Sequence, residues 1–208
     1  MTHPRYTALA QTLPTSVPFV GPEAQERARG AQFEARLGAK ENGFGPSVSV
    51  LNAIKDSADQ AWMYGEPESH DLRAALGVHH EIGLENIVVG EGIDGLLGYL
   101  VRFMVTDGDH VVTSEGAYPT FNYHVAGFGG TLHKVPYKGD YENPDALLAK
   151  ARESDAKLIY LANPDNPMGT WHEGSVIEDM ADNLPKGCLL VLDEAYIDLA
   201  PQSAVPNL

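Results

Sequence analysis

The stretch Leu189-Leu190-Val191-Leu192-Asp193-Glu194-Ala195-Tyr196 decides how the rest of the chain is read. Four consecutive apolar residues form a short strand that delivers carboxylates and a phenol to its C-terminal end. In open α/β sheets ligands sit beyond that end. Asp193 is therefore placed to meet a ligand.

Working outward, short β-branched or leucine-rich runs predict strands near residues 86–89, 110–113, 131–136, 157–161 and 188–192. Helical patterns fall between them. The clearest covers residues 93–104, where Ile93, Leu96, Leu97, Leu100, Val101 and Met104 share one face. Ser47 is expected to cap a helix carrying Val50, Leu51 and Ile54, and Ser69 a second carrying Leu72 and Leu76. Asn143-Pro144 reads as a cap followed by a first-turn proline. This alternation is the signature of βαβ units and a mostly parallel sheet with helices on its faces. Residues 1–45, rich in Pro, Gly and Arg, are expected to be an N-terminal arm and the edge of a separate small domain. Residues 46–208 are expected to form part of a larger α/β domain.

Fourteen basic against twenty-nine acidic residues give a net charge of -15. That balance disfavours nucleic acid and anionic membrane surfaces as partners. The first twenty residues carry Pro4, Pro14 and Pro18 and no continuous apolar run, so no signal or anchor is read there. The single cysteine, Cys188, begins an apolar strand and reads as core in a reducing compartment, which points to the cytoplasm. The histidines show no metal-ligand spacing. His79-His80 fall at a helix end, where the dipole favours a cation.

Several strand exits can carry chemistry. Gly90-Glu91-Gly92-Ile93-Asp94-Gly95 opens the best helix, and the amides of Ile93 and Asp94 at a helix start favour an anion. The same letters spell the dinucleotide fingerprint, and Glu115, after the next strand, supplies the acid a ribose needs. Ala117-Tyr118-Pro119 offers a ring that can stack on a flat ligand. Asn163-Pro164-Asp165-Asn166-Pro167-Met168-Gly169-Thr170 is stiffened by two X-Pro steps, so Asn166 can be held at a defined angle. A phosphate nest, an aromatic face, an amide and an acid with a phenol suit a phosphorylated heteroaromatic cofactor.

With these segments, together with Glu41-Asn42-Gly43-Phe44-Gly45-Pro46-Ser47 and Tyr64-Gly65-Glu66-Pro67, the chain resembles the fold-type I pyridoxal-phosphate aminotransferases. The histidinol-phosphate aminotransferase-like branch is the most similar. The resemblance runs in order from about Arg36 to Pro201. It implies a three-layer large domain, incomplete at its C-terminal side, a homodimeric parent, and transfer of an amino group from a small-molecule donor to a 2-oxo acid. It further implies that the Ile93 and Asp94 amides hold the cofactor phosphate and that Tyr118 stacks on the pyridine ring. Asn166 and Tyr196 are implied to meet the ring's 3-oxygen, Asp193 the ring nitrogen, and Tyr64 the phosphate of the neighbouring subunit. A carboxylate beside that nitrogen stabilises its positive charge and makes the ring an electron sink.

Two departures stand out. Lys40 occupies a place where the family usually has asparagine. The family's Schiff-base lysine lies well beyond the Asp-x-x-Tyr motif, whereas Lys40, Lys55, Lys134, Lys138, Lys150, Lys157 and Lys186 all precede Asp193. The chain is therefore expected to be the N-terminal part of the enzyme and inactive alone, with no catalytic residue of its own. A phospho-amino-acid decarboxylase of the same family, a nicotinamide-dependent dehydrogenase and a catalytically dead binding module are the alternatives.

Overall fold

The computed structural model describes residues 5–14, 20–36, 38 and 41–207, so Lys40 lies outside the described residues. The backbone separates into two compact units. One spans Val20–Gly90. The other comprises Glu91–Leu208 with the short helix α1 (Ala8–Thr12), which Thr7 caps by accepting the Ala10 amide at 3.1 Å.

The unit Val20–Gly90 holds α2 (Pro22–Arg29), α3 (Val48–Ser57) and α4 (His70–His80). Each is built by local signals. Pro22 presets the first turn of α2, and Gly30 ends it in the left-handed region at φ 71°. Arg36 turns back to pair with Glu23 at 2.7 Å and Glu26 at 2.6 Å, and its guanidinium holds the Glu26 carboxyl below the usual carboxylate range. Ser47 caps α3 as expected, its Oγ accepting the Val50 amide at 3.3 Å. At α4 the expectation needs correction, because Ser69 makes no capping bond. The Glu66 carboxylate accepts the Glu68 and His70 amides instead, at 2.9 and 2.8 Å, and these bonds lower its pKa. A longer acid reaches forward over the turn where serine makes no bond. His79 and His80 do close α4.

The strand expected at 86–89 is absent. Leu84–Asn86 is a 3₁₀ turn, and residues 87–90 follow without regular structure, with Val88 exposed. Strand propensity needs a neighbour to satisfy its amides and carbonyls, and among the described residues none pairs with this segment.

In the second unit the remaining strands appear within a residue of their expected places: β1 (His110–Ser114), β2 (Thr131–Val135), β3 (Leu158–Ala162) and β4 (Leu189–Asp193). All pair in parallel in the order β2-β1-β3-β4. Helix α5 (Gly92–Met104) precedes them, α6 (Pro119–Gly127) links β1 to β2, α7 (Pro144–Ser154) links β2 to β3, and α8 (Gly174–Asp182) links β3 to β4. Asn143 caps α7 as expected, accepting the Ala146 amide at 3.2 Å, with Pro144 in the first turn.

The strand alternation sends residues to opposite faces, and a core forms on each. Leu97 and Val101 of α5 and Phe121 and Val125 of α6 pack on Val111, Leu158 and Tyr160. Leu147, Leu148 and Ala151 of α7 and Ile177 and Met180 of α8 pack on Val112, Ile159 and Leu161. Every residue of β3 is buried, as its position between two strands and two helical layers demands. Cys188 is half-buried against the second core, where burial pushes its thiol up to about 11. No helix among the described residues is long and apolar enough to cross a membrane.

From β1 the chain moves outward to β2, and from β3 outward in the opposite direction to β4. The order therefore reverses between β1 and β3, whose register extends only over Val111↔Leu158 and Val112↔Ile159. Beyond those pairs the two strands part at their C-terminal ends. Such a switch point is where doubly wound sheets open a crevice for ligands.

Candidate active site

Side chains from α5 and from the exits of β1, β3 and β4 meet at this edge. Asp193, the last residue of β4, is 7 % exposed. Its Oδ2 accepts the Tyr160 hydroxyl at 2.6 Å and its Oδ1 accepts the Ala195 amide at 3.0 Å. Two donors orient the carboxylate without neutralising it. The Tyr160 ring is itself locked, stacked on Phe121 with centroids 4.6 Å apart and planes 17° from parallel. Burial and the neighbouring Asp193 carboxylate raise the Tyr160 pKa far enough that the phenol stays a donor.

Tyr118 stands at the first turn of α6, partly buried, and donates to Asp94 Oδ1 at 3.1 Å. Burial raises its pKa, the Thr120 hydroxyl opposes the rise, and the charges of Asp94 and Asp193 add to it. Tyr118 thus bonds to the start of α5 and feels the charge of Asp193 at the exit of β4. At that start no side chain caps the helix, which leaves the amides of Gly92, Ile93 and Asp94 to an outside partner. Gly92 has φ 82° and open space where a Cβ would stand, so the backbone can be approached closely there. Glu91 folds over this turn, accepting the Tyr99 hydroxyl at 3.0 Å and raising that phenol's pKa.

The turn Asn163–Thr170 is held from within and from outside. Asn163 donates its backbone amide to the Asp193 carbonyl at 2.9 Å. Its side-chain amide donates to the carbonyls of His172 and Ala204 and accepts the His172 amide at 2.8 Å. Asp165 accepts the Met168 amide at 3.1 Å and the Tyr137 hydroxyl at 3.2 Å. Asn166 projects from this frame, half-buried, and Tyr196 stands half-buried after β4. Tyr64 belongs to the other unit and is fully exposed.

Of the residues proposed from sequence, the structure joins Asp94 and Tyr118 by a hydrogen bond and brings Tyr118 within electrostatic reach of Asp193; Ile93 lies beside Asp94 at the start of α5, and Asn166 and Tyr196 follow the ends of β3 and β4. Sequence reasoning missed Tyr160, Glu142, Ser114 and Tyr137. Tyr160 reads as one more core residue of the apolar run 158–162, and Glu142 as an acid ahead of a capped helix. Neither carries a local signal of its role, because each is defined by a partner 20 or more residues away.

The groups present suit the chemistry of a pyridoxal phosphate: uncapped amides for its phosphate, a ring for its face and a carboxylate oriented by two donors for a protonated ring nitrogen. The fold and this edge together define an α/β cofactor-binding domain. The chain belongs to the aminotransferase class I and II family, which it matches over residues 35–208. It is 35% identical over 176 residues to the histidinol-phosphate aminotransferase of Anaeromyxobacter sp. strain Fw109-5, covering 85% of this chain and 48% of that protein. The crystal structure of histidinol-phosphate aminotransferase from Sinorhizobium meliloti in complex with pyridoxal-5'-phosphate is 53% identical, with a TM-score of 0.93. That match covers 99% of this chain and 55% of the other. The sheet with helices on both faces is thus that of the fold-type I aminotransferases. A Thermus thermophilus aspartate aminotransferase mutant, 22% identical with a TM-score of 0.75, shares the fold over 93% of this chain. The chain spans about half the length of the relatives it matches.

Proposed function

We propose that this chain supplies the cofactor floor of a pyridoxal-phosphate-dependent aminotransferase acting on histidinol phosphate or an aromatic amino acid, with a 2-oxo acid as acceptor. One observation carries the proposal: the buried Asp193 carboxylate at the exit of β4, oriented by Tyr160 and Ala195, is within electrostatic reach of Tyr118, whose hydroxyl bonds Asp94 at the uncapped start of α5. The Sinorhizobium meliloti relative, crystallised with pyridoxal-5'-phosphate, supports the choice of cofactor.

In this account the Ile93 and Asp94 amides bind the phosphate, and Tyr118 lies against the ring. Asn166 and Tyr196 hydrogen-bond the ring's 3-oxygen. Asp193 holds a proton on the ring nitrogen, and Tyr160 keeps the carboxylate aimed. When bound, the cofactor supplies an electron sink for the pair left on the substrate's α-carbon as a proton departs. Tyr64 reaches the phosphate of a second copy in a homodimer. Residues 1–45 form the arm and small-domain edge, residues 46–208 the large-domain part, and the protein works in the cytoplasm.

The amine that forms the covalent bond to the cofactor is assigned to a segment after Asp193, so the 208-residue chain is expected to bind without transaminating. Titration calorimetry tests this. Pyridoxal phosphate is expected to bind, pyridoxal lacking the phosphate to bind at least tenfold more weakly, and borohydride to leave no stoichiometric pyridoxyl-lysine. Equal affinity for the two, tighter binding of a nicotinamide dinucleotide, or a stoichiometric pyridoxyl-lysine would each defeat the proposal.

A further inference from the structure

Behind the turn Asn163–Thr170 lies a buried polar cluster that the cofactor account does not use. Glu142 precedes α7 and is 2 % exposed. Its Oε1 accepts the Ala162 amide at the end of β3, at 2.9 Å, and its Oε2 accepts the Ser114 hydroxyl at the end of β1. It therefore fills the gap where β1 and β3 part. Asp165, 4 % exposed, lies within hydrogen-bonding contact of the Glu142 carboxyl while it accepts the Met168 amide and the Tyr137 hydroxyl. Tyr137 reaches this position because Gly116 faces it. A Cβ on Gly116 would stand 2.7 Å from the Tyr137 ring.

Two carboxylates are acceptors only, so a hydrogen bond between them needs a proton. Like charges this close in a buried site do not both ionise at neutral pH. We propose that Glu142 and Asp165 share one proton and act as a latch that clamps the Asn163–Thr170 turn to the parted ends of β1 and β3, fixing where Asn166 stands. Glu142 and Asp165 are positioning residues in this account, and the consequence for Asn166 as a ligand-holding group rests on the cofactor proposal above.

The surroundings favour the shared proton. Burial pushes the Glu142 carboxyl up to about 7, the Ser114 hydroxyl and the Ala162 amide pull it down, and Asp165 adds to the rise. Tyr137 and, further in, Tyr160 also face Glu142, and both phenols are raised by burial, so they stay neutral donors. The His172 ring meets the Glu142 backbone carbonyl at 2.9 Å, and Lys138 and Asp145 border the surface groove outside it. Raising the pH removes the shared proton, and the two charges then push the turn away from the strand ends.

Two readouts on the cofactor-free protein test the latch, so that failure of pyridoxal phosphate to bind would leave the latch judged separately. Infrared difference spectra just below neutral pH should show a protonated carboxyl band that disappears in Glu142→Gln and shifts in frequency in Asp165→Asn, where the buried Glu142 carboxyl loses its partner. Amide exchange at Met168 and Gly169, corrected for base catalysis, should quicken by up to about tenfold per pH unit between about pH 4.5 and 7 in the wild type, the slope of one titrating proton, and level off above that. Glu142→Gln, a neutral isostere that keeps the clamp, should hold that exchange slow and flat. Absence of the carboxyl band, or wild-type exchange as flat as that of Glu142→Gln, overturns the proposal.

Discussion

Helices α3 and α5 both carry an apolar stripe, yet their surroundings differ. In α5 Leu97 and Val101 are buried in a two-sided core, whereas Val50, Leu51 and Ile54 of α3 remain exposed. The difference extends to the units they belong to. Glu91–Leu208 has a core on each sheet face, while Val20–Gly90 exposes Phe44, Trp62, Tyr64 and Val78, and buries only Gly77 among its helical residues. Caps and turn residues suffice to shape a helix, but stability comes from apolar area removed from water. The sheet unit is where packing energy resides, and the candidate site is built on it.

The largest expected effect follows from that contrast. Phe121→Ala, which removes a fully buried ring and unseats Tyr160, should cost about 3–5 kcal/mol in denaturant unfolding, against within about 0.5 kcal/mol for Ile54→Ala. Comparable losses at the two positions would break the comparison.

Next comes pH. The Glu142 carboxyl titrates higher in the fold, at about 7, than its ordinary 4.5, so the folded state holds the proton more tightly. The stability it confers is complete below about pH 4.5, drains away as the pH rises through 7, and is level above. The loss is on the order of 3 kcal/mol. Thermal melts should therefore show Glu142→Gln gaining on wild type as the pH rises from about 4.5 to 7, with a constant difference above that. In Val20–Gly90 the perturbed carboxyls Glu26 and Glu66 are shifted downward by exposed partners, and Glu26→Gln should change the melting point little and less still in salt.

The smallest effect concerns caps. Asn143→Ala, ahead of a helix with three buried residues, should cost about 1 kcal/mol, and Ser47→Ala, ahead of a helix with none, no more than half as much. Equal costs would show that capping acts alike in packed and unpacked helices.

These contrasts also separate what the sequence made legible from what it did not. The four parallel strands, α5, the Asn143 cap and the Asp193 exit follow from periodicity and turn chemistry, which act over a few residues. The segment 86–89 has strand composition but lacks a neighbour, and pairing is not written in a strand's own letters. Ser69 has the right residue type for a cap, but Glu66 takes the amides. At the site, Asp193, Tyr118 and Asp94 were legible because each stands just past an element end. Tyr160 and Glu142 were not, because their roles depend on which strand ends lie together, and that is a property of the sheet order.

In the proposed site Asp193 holds the proton on a bound pyridine nitrogen. Nuclear magnetic resonance of pyridoxal phosphate labelled at that nitrogen, bound to wild-type and Asp193→Ala chains whose circular dichroism matches, reads that proton. A protonated ring nitrogen in the wild type and an unprotonated one in the variant is the predicted result. The same nitrogen signal in both proteins would contradict it.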